Sequence, residues 1–92
     1  MNVPALAQLN SSVTIRAEIP FGLQGAAYDL AVFDLVGRRV ERIASGTLKA
    51  GHLQQEWRPA DAAAASTLHP GIYYVRLQTP KQTLTRKIVL VF

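Results

Sequence analysis

The sequence predicts an all-β fold, an antiparallel β-sandwich of about seven strands. Several segments alternate apolar and polar residues with the period of two that a half-buried strand requires, and clusters of Gly, Pro, Asn or Asp separate them. No segment has the length and pattern of a long helix. The 92 residues suffice for one domain, and a domain of this size buries only about 60–65% of the surface of its unfolded chain. The core is therefore predicted to be thin.

Residues 1–12 have no sustained period and end on the polar run 10–12. They predict a linker or a loosely docked arm, so we divide the chain into residues 1–11, a linker or an arm left at the boundary of an expressed fragment, and a folded domain over residues 12–92. The first ten residues lack the charged start and apolar core of a signal peptide. We therefore expect a cytosolic protein or, in preference, a domain cut from a larger precursor.

The first half of the domain contains two predicted strands and a turn. Residues 13–19 alternate, and Pro20 closes the run. Residues 27–35 carry apolar side chains on both faces, which is typical of a central strand. Asp34 can cap its own backbone and Gly37 can supply a positive φ, so residues 34–37 predict a type I turn.

The middle of the chain predicts two further strands and one helical turn. Residues 38–44 return as the third strand, residues 45–47 break it, and residues 48–51 connect it to a fourth strand over residues 52–58, which Pro59 ends. The alanine-rich residues 61–66 predict a single helical turn at most.

The last third of the chain predicts a terminal hairpin around Pro80 and Lys81. In the run 70–79, Tyr73, Val75 and Leu77 share one face. The run 83–92 ends almost wholly apolar, and such an end must be buried or contact a partner.

The sequence offers little chemistry. It has two histidines and six carboxylates; His52 and His69 lack a third ligand at metal-binding spacing, so we predict no metal site, no cofactor and no catalytic residue. Asp29 and Asp34 are interpreted as a solvent-facing residue and a turn former. The domain is thus predicted not to be an enzyme.

Aromatic side chains leave a carbohydrate-binding alternative open. Trp57, Tyr28, Tyr73 and Tyr74 could stack on sugar rings. Trp57 and Tyr73, however, share strand faces with aliphatic residues, which favours core packing, and an outward Tyr74 is a weak sugar platform.

The order of motifs resembles a known family. The motifs are Ser12-Val13-Thr14-Ile15-Arg16, Ile19-Pro20, Leu30-Ala31-Val32-Phe33-Asp34-Leu35-Val36-Gly37-Arg38, Ala50-Gly51-His52, Trp57, Pro70-Gly71-Ile72-Tyr73-Tyr74-Val75-Arg76-Leu77 and Arg86-Lys87-Ile88-Val89-Leu90. Together they resemble the type A C-terminal sorting domain of the type IX (Por) secretion system. The same pattern is similar to the immunoglobulin-like domain of flagellar hook-capping proteins.

The resemblance implies an immunoglobulin-like sandwich at the end of a larger secreted protein, often a hydrolase. It implies passage through the periplasm, outer-membrane translocon proteins as partners, a covalently linked upstream passenger domain, and a secreted or cell-surface destination. The positions that match the family's sorting signal are Gly71, Tyr73, Arg86, Lys87, Ile88, Val89, Leu90 and Val91. The alternatives are an accessory carbohydrate-binding or immunoglobulin-like module of a secreted glycosidase, and a hook-capping-like assembly domain.

Overall fold

The structure, a computed structural model, describes residues 1–49, 51–61 and 68–92. Seven strands lie in this part of the chain, together with two short 3-10 helices, Phe21–Leu23 and Pro59–Asp61. The strands are β1 Leu6–Gln8, β2 Val13–Ile19, β3 Ala27–Phe33, β4 Arg39–Thr47, β5 Gly51–Trp57, β6 Gly71–Gln78 and β7 Thr83–Val91. The predicted helical turn over residues 61–66 falls mostly outside the described residues.

The strands form two sheets that pack as a β-sandwich. The larger sheet has the order β1-β7-β6-β3-β4, and the smaller one pairs β2 with β5. All pairs are antiparallel except β1 with β7, which is parallel. The prediction of an all-β sandwich of about seven strands is confirmed.

The core lies between the sheets and draws on both. β2 contributes Val13 and Ile15, while the larger sheet contributes buried aliphatic residues from three neighbouring strands. Those residues are Leu30, Val32, Val75, Leu77, Ile88 and Leu90. Leu48 closes the core from the connection between β4 and β5. Alternating burial along β2 and β6 follows the period of two in the sequence.

Two strand predictions agree closely with the structure. β2 has the predicted bounds, Val13–Ile19. β3 lies between β6 and β4, as its apolar faces indicated, although it ends at Phe33 and not at residue 35. β3 is shorter than predicted because the turn begins at Asp34. The backbone amide of Asp34 donates to the carbonyl of Arg38, on the other side of the turn, at 3.0 Å.

The prediction that residues 45–47 break the third strand is wrong. β4 starts at Arg39 and continues to Thr47, pairing Ser45 with Asp29 and Gly46 with Tyr28. The turn-forming residues stay in the strand because each of residues 45–47 has a pairing partner on β3 for its backbone. Two register shifts, which are β-bulges or irregularities, interrupt the β3–β4 pairing between Leu30 and Ala31 and between Val32 and Phe33. A β-bulge generally bends its strand and increases the local twist.

Residues 1–12 contain a strand that the sequence pattern did not predict. Leu6, Ala7 and Gln8 pair in parallel with Val89, Leu90 and Val91. Upstream of them, Asn2 forms a bridge with Arg16 of the smaller sheet. This arm therefore contacts both sheets along one side of the sandwich. Three residues are too few to show a period, and the partner strand lies at the far end of the chain.

Candidate functional site

The terminal hairpin of β6 and β7 divides its side chains between two faces. Tyr73 is paired with Ile88, and both are buried between the sheets. Leu90 lies on the same inner face, with none of its surface exposed. Ile72 and Val89 are also paired, and they lie on the outer face of the larger sheet. The eight positions of the predicted sorting signal are therefore not one surface.

Tyr73 and Gly71 shape the start of β6. The hydroxyl of Tyr73 donates to the carbonyl of His69 at 2.7 Å and accepts from the amide of His69 at 3.1 Å. The ring of Tyr73 is thus buried while its hydroxyl is fully hydrogen-bonded. These two bonds hold the backbone of His69, just before β6, in place. Gly71 opens β6 opposite Leu90, with a φ of 155° that side chains rarely adopt.

Arg86 and Lys87 point to opposite sides of β7. Arg86 is paired with Val75, and its Nε donates to the carbonyl of Met1 at 3.1 Å, so it holds the N-terminal arm. Lys87 is paired with Tyr74 on the outer face and is exposed. Within the described part of the chain Lys87 has no ion pair or hydrogen bond to its side chain. Of the two, Lys87 is the one available to a partner.

Val89 on the same strand and Tyr74 on β6 place apolar side chains on two sides of Lys87. In one cross-strand row, Leu6, Val89 and Ile72 lie side by side on β1, β7 and β6, with Leu6 61% exposed. The next row places Lys87, Tyr74 and Phe33 side by side on β7, β6 and β3. The guanidinium of Arg76 lies 4.0 Å from the centre of the Phe33 ring. We call these seven residues the outer face: Leu6, Phe33, Ile72, Tyr74, Arg76, Lys87 and Val89.

Sequence reasoning found Lys87 and Val89 but missed the rest of the outer face as a site. The period of two along residues 71–78 already places Ile72, Tyr74 and Arg76 together. Phe33 and Leu6 could not be added from the sequence, because their positions depend on the order of the strands in the sheet.

The turn between β3 and β4 flanks the outer face. The amide of Gly37 donates to the carbonyl of Asp34 at 3.0 Å, and the Oδ1 of Asp34 accepts from the amides of Val36 and Arg38. Gly37 has a φ of 87°. The hydrogen bond from the Arg38 amide, aided by the one from Val36 and by the Arg38 guanidinium, lowers the pKa of Asp34 from its ordinary 3.8.

This turn holds Leu35 and Val36 in solvent, at 66% and 77% exposure. A shallow depression of about 310 Å³ runs from Leu35 to Tyr74 and Arg76. The apolar surface therefore extends beyond the strands to the turn.

Possible metal ligands do not cluster in the part of the chain that the structure describes. No three side chains of His, Asp or Glu there are close enough to hold a metal ion. A depression of about 490 Å³ adjoins Tyr73 and the turn, where Arg38 is already ion-paired with Asp34 and the Tyr73 hydroxyl is bound to His69. None of the described helices has the length and apolar character needed to span a bilayer.

Trp57 cannot serve as an exposed sugar platform. Its side chain is buried in the core with 4% of its surface exposed. Its Nε1 has no hydrogen-bond partner among the described residues. The aromatic residue on which the carbohydrate-binding alternative most depended is thus part of the packing between the sheets.

Comparison with known proteins places the domain in a family. No curated protein and no solved structure shows a significant match to the chain. The model of one protein family, the secretion system C-terminal sorting domain, matches residues 9–91, which include β2 to β7 in full. Sorting domains of the type IX system direct export to the cell surface or secretion. By this match over nearly its whole length, the chain belongs to the family of C-terminal sorting domains of the type IX secretion system.

Proposed function

We propose that this domain directs a covalently linked upstream passenger, a hydrolase, across the outer membrane to the cell surface. The partners that bind the folded sandwich during this export are translocon proteins of the outer membrane. The observation that carries the proposal is the family match over residues 9–91, which includes the terminal hairpin in full. In this proposal the domain acts as a recognition signal for the secretion machinery and catalyses no covalent reaction.

Within this proposal the predicted signal residues have two roles. The first set builds and fixes the hairpin: Gly71, Tyr73, Arg86, Ile88 and Leu90. The second set lies on the surface of β7 and is available for contact: Lys87, Val89 and Val91. For Ile88 and Leu90 the division is supported by the alternation of burial along β7, since a buried side chain cannot touch a partner unless the sandwich opens. Arg86 is exposed, and its place in the first set rests on its hydrogen bond to Met1.

A passenger fusion tests the proposal. A soluble passenger preceded by a periplasmic signal peptide is joined to residues 1–92 and expressed in a type IX host, and surface exposure is measured by protease shaving and antibody labelling. We expect surface display of the full fusion and periplasmic retention when residues 87–92 are deleted. Equal display with and without these residues would reject the proposal.

The deletion also removes core residues, so a folding control is needed. Ile88 and Leu90 are fully buried, and their loss alone could unfold the domain. Tryptophan fluorescence of the purified domain reports this, because Trp57 is the only tryptophan and is buried in the native state. A fusion with Lys87, Val89 and Val91 replaced by Ser keeps the core, and we expect it to retain native fluorescence while losing display.

A further inference from the structure

We infer that the outer face is a docking surface for a protein whose contact region has an apolar centre and an acidic margin. This inference rests on the proposed sorting function and adds the face and the partner's chemistry. The geometry points to one side of the sandwich only.

The apolar centre is continuous across four strands. Leu6, Val89 and Ile72 are in register on β1, β7 and β6, and Tyr74 and Phe33 continue the surface to β3. Leu35 adds to it from the adjoining turn. Aromatic and aliphatic side chains held by strand pairing lose little freedom on binding, so they suit the centre of an interface.

The charges on this side are unequal. Asp29 is already ion-paired with Arg42 at 2.9 Å and Arg39 at 3.8 Å, and Asp34 with Arg38 at 3.1 Å. Arg76 and Lys87 add further positive charge to the outer face without another carboxylate beside them among the paired residues. An acidic margin on the partner is the complement of this pattern.

The opposite face of the sandwich has a different character. There the cross-strand pairs are Thr14 with Glu56, Arg16 with Gln54, and Glu18 with His52. These residues are polar, mixed in sign and mostly exposed, as on an ordinary solvated surface. The contrast shows that the apolar, cationic character belongs to the larger sheet.

The positive charge and apolar centre of the outer face also favour one class of binding partner over others. A second copy of the chain docked through the same face would bring two sets of Lys87 and Arg76 into one interface, and like charges in an interface are unfavourable. A nucleic acid would pair with the cations but would leave the aliphatic row of Leu6, Ile72 and Val89 in contact with phosphate and water. An acidic protein surface with an apolar centre satisfies both features.

The test uses the passenger fusion with residues 1–92 in a type IX host. Lys87→Glu combined with Ile72→Asn alters the outer face; Arg16→Glu combined with Phe21→Asn is the matched control, since Arg16 lies on the smaller sheet and Phe21 is 87% exposed on a connection. We expect the outer-face variant to reduce the displayed fraction about tenfold, because changes to central residues of an interface lower binding affinity by about this factor or more. The control should match the parent fusion.

A photo-crosslinking amino acid at position 72, compared with one at position 54, identifies the partner. We expect position 72 to crosslink to an outer-membrane protein whose crosslinked peptide is rich in Asp or Glu, and position 54 not to do so. Crosslinks to lipopolysaccharide, to nucleic acid or to a second copy of the chain would overturn the inference. Equal display by the two variants would also overturn it while leaving the sorting function intact. A parent fusion that never reaches the surface would instead reject the sorting function.

Discussion

Asp34 specifies the turn beside the outer face with a single carboxylate. One oxygen accepts two backbone amides, and the other lies 3.1 Å from the Nε of Arg38. Amides and guanidinium all favour the ionised carboxylate, which is why its pKa is lowered. The charge on Asp34 therefore contributes to the stability of the turn that presents Leu35.

Asp34→Asn removes this charge while keeping an oxygen that can accept the amides. Because the pKa of Asp34 is lower in the folded state, its stabilising effect is complete above the unfolded pKa and is lost as pH falls through the folded pKa. We expect the difference in Tm between parent and variant to be constant from about pH 5 to 7 and to shrink below about pH 4. Thermal unfolding followed by circular dichroism measures it; a difference that grows on acidification would contradict the assignment.

Arg86 and Lys87 show how adjacent residues of one charge acquire separate roles. The pleat of β7 sends Arg86 to the carbonyl of Met1 and Lys87 to the outer face. In the sequence they form a basic pair, and in the structure they share no surface. The Arg86 side chain contacts the arm, whereas the Lys87 side chain is exposed on the outer face, where we propose that it contacts a partner.

At the scale of elements, pairing with β1 determines how much of β7 is an unpaired edge of the sheet. The amide of Val89 donates to the carbonyl of Ala5, and the amide of Leu9 donates to the carbonyl of Val91. These bonds cover the last residues of β7, whereas Thr83 to Lys87 pair only with β6 among the described strands. An unpaired strand edge is a template for another chain. The arm thus protects the most apolar part of β7.

Removal of residues 1–9 should uncover this edge. We expect the shortened domain to unfold at lower temperature than the parent and to self-associate in a concentration-dependent manner, because the backbone groups of residues 89 and 91 lose their partners. Removal of residues 1–4 alone keeps β1 and is the control. Light scattering after size-exclusion chromatography reports the mass, and a monomer at all concentrations after the longer deletion would contradict the protective role of β1.

At the scale of the whole molecule, a thin core makes single residues important. Leu90 is fully buried, whereas Val89, its neighbour in β7, is only half-buried on the outer face. A domain of this size has a free energy of unfolding of about 5–15 kcal/mol. A single cavity in such a core removes a large share of it.

We expect Leu90→Ala to lower the free energy of unfolding by about 3 kcal/mol, and Val89→Ala to lower it by about 1 kcal/mol or less. Leu90 loses core contacts and leaves a cavity, while Val89 loses contacts that solvent partly replaces. Urea unfolding followed by Trp57 fluorescence measures both. Equal losses would show that the two faces of β7 do not differ in packing.

Much of the architecture follows from local pattern. The period of two in residues 13–19, 52–58 and 71–78 predicted the strands and their buried faces, and it placed Trp57 and Tyr73 in the core. The turn residues Asp34 and Gly37 act over four positions, so their role was also visible in the sequence. The family resemblance rested on these same motifs and is confirmed by the match over residues 9–91.

The order of strands is what only the tertiary structure decided. β1 pairs with β7 across more than eighty residues, and β3 lies beside β6, so Leu6 and Phe33 join the face of Ile72, Tyr74 and Lys87. Alternation along a strand states which residues share a face, because it is set by backbone geometry within that strand. It does not state which strand is the neighbour, because hydrogen-bonded backbone groups are alike in every sequence. The sequence by itself therefore determined the fold class and the family, and the pairing of distant strands assembled the outer face.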